Sequence, residues 1–74
     1  MDNKDNILAK ISYNIRIERF KKRMTQEILA EKVGVSTKYI NLIENKRVNP
    51  SIVVIVNICN ALEIDMDTLI RDIK

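Results

Sequence analysis

Apolar residues recur along this chain at helical rather than strand spacing. Between Asn6 and Lys22, Leu8, Ile11 and Ile15 form one stripe, and Tyr13, Ile17, Phe20 and Met24 form a second beside it. Two adjoining stripes predict a helix buried over more than half its girth. Thr25 stands where an N-cap belongs, and Glu27 in the first turn complements the helix dipole. A short helix is therefore expected over Gln26–Val33, with Leu29, Ala30 and Val33 inward. Gly34, the sole glycine, follows where a left-handed residue closes a helix. Ser36 caps a third helix from Thr37 to about Asn45, whose apolar positions are Val35, Ile40 and Ile43. Val48-Asn49-Pro50-Ser51 reads as a loop, because proline disfavours a helical residue before it. The run after it would also suit a buried strand. Its length, the Ser51 start and the inward spacing of Ile52, Ile55, Ile58/Cys59 and Leu62 decide for a fourth helix over Ser51–Leu62. Asp65 caps a last short helix carrying Met66, Leu69, Ile70 and Ile73.

Gln26–Asn45 is the informative stretch. Two short helices meet there across Gly34-Val35-Ser36, with the small Ala30 where they must approach closely. A tight crossing, an open turn and a second helix with a free outer face are the requirements of a helix-turn-helix. Thr37, Lys38, Asn41 and Leu42 project from the face opposite Ile40 and Ile43, so no core role competes for them. Lys38 is a donor that reaches guanine O6/N7, and Thr37 suits several base edges.

Composition narrows the function. At 74 residues the chain is expected to be one domain over 1–74, and 46% hydrophobic with 31% charged residues are globular values. With no His and one Cys, a zinc site, a His-based triad and a haem site lose their ligands or base, so no enzyme is expected. Cofactors and small-molecule ligands are likewise not expected. The longest apolar run, Ile52 to Val56, is far short of the roughly 18 residues of a membrane span. The N-terminus is polar, unlike a signal peptide, and a cytoplasmic location is expected. Net charge is only +3 but unevenly placed. Arg16, Arg19, Lys21, Lys22 and Arg23 crowd one segment, whereas Glu63, Asp65, Asp67 and Asp72 make the end acidic. A polyanion at one pole fits this, as do ordinary solvated helix faces.

The chain resembles the phage Cro/repressor-type (XRE-type) helix-turn-helix family through Ile11–Leu69. The matching motifs are Asn14-Ile15-Arg16, Met24-Thr25-Gln26-Glu27-x-Leu29-Ala30, Val33-Gly34-Val35-Ser36, Tyr39-Ile40-x-x-Ile43-Glu44-Asn45 and Asn49-Pro50-Ser51. The resemblance implies an all-α, compact five-helix, lambda-repressor-like domain. It implies a transcriptional regulator that binds double-stranded operator DNA as a homodimer; with no sensor domain and little surface for an activating partner, a repressor is expected. Gln26 is implied as a phosphate contact, against an ordinary first-turn role. Ser36 is a cap first and a phosphate contact second. Tyr39 is half packed with its hydroxyl free for phosphate, and Asn45, Lys46 and Arg47 lie where a loop meets phosphates. Bases would be read by Thr37, Lys38, Asn41 and Leu42. The resemblance also implies that Arg19 pairs with Glu44, holding the third helix on the first; a direct DNA role for Arg19 is the alternative.

Two departures stand out. Lys46 occupies a position where glycine is common, and Leu42 a base-reading position that is usually polar. An apolar side chain there contacts a thymine methyl or stays silent. Val53 and Val56 lie off the inward stripe of the fourth helix, Ile70 and Ile73 add apolar surface near the chain end, and the four form the expected dimer interface. The alternative function is a protein-interaction module such as an antitoxin, which would use Val53, Val54 and Val56 beside Ile70 and Ile73.

Overall fold

A computed structural model describes residues 4–73. Five helices follow one another: α1 (Lys4–Lys21), α2 (Gln26–Val33), α3 (Thr37–Glu44), α4 (Ile52–Leu62) and α5 (Met66–Leu69). No strand occurs among the described residues. Helix starts follow from side-chain chemistry. Thr25, Ser36, Ser51 and Asp65 each accept from a backbone N–H of the turn they open, those of Ile28, Tyr39, Val54 and Thr68 respectively. The Thr68 hydrogen bonds hold the Asp65 carboxyl below its ordinary value.

Helix ends are less obvious. Gly34 adopts φ 87°, as expected, but Arg23, Lys46 and Glu63 take the same left-handed region at φ 57°, 63° and 58°. Each closes a helix through paired turn bonds. At α4, the Glu63 N–H reaches the Asn60 carbonyl at 3.2 Å and the Ile64 N–H reaches that of Cys59 at 3.0 Å. A Cβ in this region costs about 1–2 kcal/mol. Glu63→Gly is therefore expected to stabilise the fold by about 0.5–1 kcal/mol, the relief being partly offset by glycine's larger unfolded-state entropy. Urea unfolding checks this, and a loss of stability would show that the Glu63 backbone is unstrained.

The core gathers Ile15, Leu29, Ala30, Ile40, Ile43, Ile55, Ile58, Cys59, Leu62 and Leu69 from all five helices. Burial, helped by the Asp65 charge, pushes the Cys59 thiol above its ordinary value, so this residue fills space as a neutral thiol.

Two expectations are corrected. α1 does not bury a second apolar stripe: Tyr13 and Phe20 are exposed and Ile17 is only half-buried. Its buried residues are instead Ser12, Asn14, Ile15, Glu18 and Arg19. Polar groups can occupy that face because each has a partner on another element or on its own helix. Ile52 is also not inward. It lies at the first position of α4, a turn beyond the end of the core, and is 68% exposed; the half-buried Val54 packs on the core instead.

Candidate nucleic-acid interface

α2 and α3 pack against each other, and α2 also packs on α4. This leaves one face of α3 outward. Thr37, Lys38 and Asn41 are exposed on it, and Leu42 is half-buried at its edge. Ser36 is exposed, its hydroxyl engaged as a cap by the Tyr39 N–H at 3.0 Å. Tyr39 is half-buried against the core. Asn45, Lys46 and Arg47 are all exposed just beyond the helix end.

That end is held with unusual completeness. A helix leaves its last four carbonyls without intrahelical partners, and here all four are satisfied. The Asn41 carbonyl accepts from the Asn45 N–H at 3.0 Å and from Asn45 Nδ2 at 2.8 Å. The Leu42 carbonyl takes the Arg47 N–H at 2.9 Å. The Ile43 carbonyl takes the Lys46 N–H at 3.1 Å and the Ser12 hydroxyl at 2.7 Å. Arg16 Nη2 reaches the Glu44 carbonyl at 3.3 Å. Lys46 thus plays glycine's part in the helix stop despite its side chain, and its left-handed backbone carries the chain into Arg47.

Beneath α3 lies a buried ion pair. Arg19 Nε donates to Glu44 Oε2 at 2.7 Å and its Nη2 to Oε1 at 3.0 Å, a two-bonded fork. Arg19 Nη1 continues to the Met24 carbonyl at 2.8 Å, and its guanidinium stacks 4.6 Å from the Phe20 ring centre. Arg16 Nε stands 3.7 Å from Glu44 Oε1. Gln26, half-buried at the start of α2, gives its Nε2 to Glu44 Oε1 at 3.1 Å and accepts from Asn41 Nδ2 through its own Oε1 at 3.3 Å. Its amide is therefore tied to Glu44 and Asn41, with one Nε2 hydrogen left for a phosphate.

A latch not anticipated from the sequence fixes the C-terminal turn of the chain on α1. Asn14 Nδ2 donates to the Leu69 carbonyl at 2.8 Å and the Arg71 carbonyl at 3.2 Å. Arg71 also reaches the buried Glu18 at 3.2 Å, and Lys21 pairs with the same carboxylate at 3.3 Å. Asn14 carried a motif signal, but nothing local marked Glu18 and Arg71, separated by most of the chain. Val53 and Val56 are exposed beside Ile52 on α4, Ile70 is exposed after α5, and Ile73 is half-buried.

Among the described residues no helix is long and apolar enough to cross a membrane, and no group of three or more His, Cys, Asp or Glu side chains could hold a metal. The helix-turn-helix family model matches residues 15–69. The fold is similar to the restriction-modification controller protein C.AhdI from Aeromonas hydrophila, at 32% identity over 84% of this chain and 94% of that one, with a TM-score of 0.81. It is similar to a hypothetical transcription factor, NHTF, from Neisseria, at 28% identity over 95% and 80% of the two chains, with a TM-score of 0.84. The controller protein C.Esp1396I bound to a 25 base pair operator is 35% identical over 85% and 83%, with a TM-score of 0.78. That protein also occurs as a tetramer in complex with its natural 35 base-pair operator. No curated protein matches the sequence. Motif, all-helical fold and an outward, firmly anchored α3 agree: the chain belongs to the helix-turn-helix family of DNA-binding transcriptional regulators, of the Cro/repressor type.

Proposed function

We propose that the protein is a repressor that binds a palindromic operator as a homodimer, working in the cytoplasm. One observation carries this reading: the outer face of α3 has no packing role, yet every carbonyl of the helix end beneath it is hydrogen-bonded, those of Ile43 and Glu44 to Ser12 and Arg16 of α1. Such rigidity without burial suits a helix aimed at a groove. Thr37, Lys38 and Asn41 read base edges, and Leu42 meets a thymine methyl. Gln26, Ser36, Tyr39, Asn45, Lys46 and Arg47 hold phosphates, which set register and affinity rather than sequence. Repression follows from occupying promoter DNA. The operator complexes of C.Esp1396I support the DNA partner, and its tetramer supports an oligomeric regulator.

The test is binding measured against salt and sequence together. Affinity should fall steeply between about 50 and 200 mM salt, with a slope of about −0.9 per phosphate neutralised. Lys38→Ala should cost about 1–3 kcal/mol on the selected operator and relax preference at one base position. Equal losses on operator and random DNA would move Lys38 to the phosphates. Salt-insensitive binding to a protein partner, with none to DNA, would favour the interaction module instead.

A further inference from the structure

We infer that Asn41 reads adenine, and that Glu44 and Gln26 are positioning residues that set this choice through a chain of fixed hydrogen-bond polarity. The inference rests on the DNA-binding reading proposed above. The chain begins at Glu44, a buried carboxylate held in the fork of Arg19. A carboxylate paired with a guanidinium only accepts. Gln26 must therefore turn its NH2 group toward Glu44, and the observed contact is Nε2 to Oε1 at 3.1 Å. The opposite end of that amide, Oε1, is then an acceptor facing α3. Asn41 must answer with a donor, and its Nδ2 meets Gln26 Oε1 at 3.3 Å. One side-chain charge thus orients two amides in succession.

The consequence lies on the exposed side of Asn41. With one Nδ2 hydrogen turned to Gln26, its Oδ1 and the second Nδ2 hydrogen remain for a partner. Adenine offers the complement in the major groove, an N6 donor beside an N7 acceptor. Guanine offers two acceptors and would face Oδ1 with repulsion, and cytosine supplies only a donor. Were Gln26 reversed, Asn41 would spend its oxygen on the Gln26 amide and present only N–H groups, which suit guanine or thymine. The buried carboxylate therefore decides between purines at a base it never touches.

Selection of bound sequences from random DNA, run on the wild type, Asn41→Ala and Gln26→Met, tests this. Wild type should enrich adenine at one position per half-site, and Asn41→Ala should reduce that preference by about tenfold to a hundredfold. Gln26→Met keeps Asn41 but removes its tether. It should lower the adenine preference at the same position by about threefold or more, on top of a uniform loss from the missing phosphate contact. A merely structural role for Gln26 would lower all positions alike and leave the adenine preference intact, and that result overturns the positioning chain. Unchanged base preferences in Asn41→Ala, on an operator that wild type still selects, overturn the inference alone. A wild type that selects no sequence overturns it together with the DNA-binding reading.

Discussion

Replacing Glu44 by alanine is expected to cost about 3–5 kcal/mol of folding stability, because it leaves a buried guanidinium without its counter-charge. The Arg19 side chain is 8% exposed and that of Glu44 is fully buried, so neither half is rescued by water. A domain of this size has a total stability of about 4–11 kcal/mol at the usual contribution per residue. The variant should therefore be marginal or unfolded at room temperature. Arg19→Ala should be milder. Arg16 already stands 3.7 Å from the carboxylate with a side chain 41% exposed, and it has the freedom to close on Glu44. Arg19→Lys should not restore stability, since an ammonium cannot form the fork and also reach the Met24 carbonyl. Urea unfolding of both single variants and the double variant gives the coupling energy, expected above about 1 kcal/mol. Losses confined to the 0–1 kcal/mol range of an exposed pair would show that the fork contributes nothing beyond a surface contact.

What the sequence made legible depended on the range of the interaction concerned. Helix starts were plain, because a cap acts on the turn beside it: Thr25, Ser36, Ser51 and Asp65 announce themselves within three residues. Helix stops were half hidden. Gly34 marks its own left-handed backbone, whereas Arg23, Lys46 and Glu63 adopt it with nothing in their chemistry to say so. The inward face of α1 is hidden for a related reason. Periodicity counts apolar residues, so it pointed to Tyr13 and Phe20, yet the groups that tie α1 to the rest of the chain are Ser12, Asn14, Arg16, Glu18 and Arg19. Their partners at Ile43, Glu44, Leu69 and Arg71 lie 25 to 57 residues away along the chain, and only the folded arrangement reveals them. The outward face of α3 was readable because hydrophobic spacing alone separates Ile40 and Ile43 from Thr37, Lys38 and Asn41. The tether from Glu44 through Gln26 to Asn41 was not, since it joins α2 to α3 across their crossing.

Charging the apolar surface of α4 and α5 is expected to abolish dimers while leaving each protomer folded. Ile52 and Val53 are 68% and 65% exposed, Val56 is 42% and Ile70 is 39%. Three of them fall within five residues of α4, in a segment that carries no charge from Val48 to Asn60. Apolar surface concentrated in this way usually marks an interface. The α5 side of the patch is not left to a four-residue helix alone. Asn14 holds the carbonyls of Leu69 and Arg71 on either side of Ile70, and Glu18 pairs with Arg71. In a two-fold interface each residue near the axis meets its own copy or close neighbours, so one substitution acts twice. Val53→Lys and Ile70→Lys should therefore set like charges against each other across the axis. Because both positions are exposed in the protomer, each should change its stability by no more than about 0.5 kcal/mol. Sedimentation at about tens of micromolar should give a dimer for the wild type and monomers for both variants, with helical content unchanged. The effect on DNA is larger. A dimer places two copies of α3 about 34 Å apart, one turn of the duplex, and the second half-site is then bound at high effective concentration. Loss of that linkage should weaken operator binding by about a hundredfold or more, with half-site binding unaffected. A wild type that remains monomeric both free and on its operator would remove the dimer, and with it the reason for so much exposed apolar surface on α4.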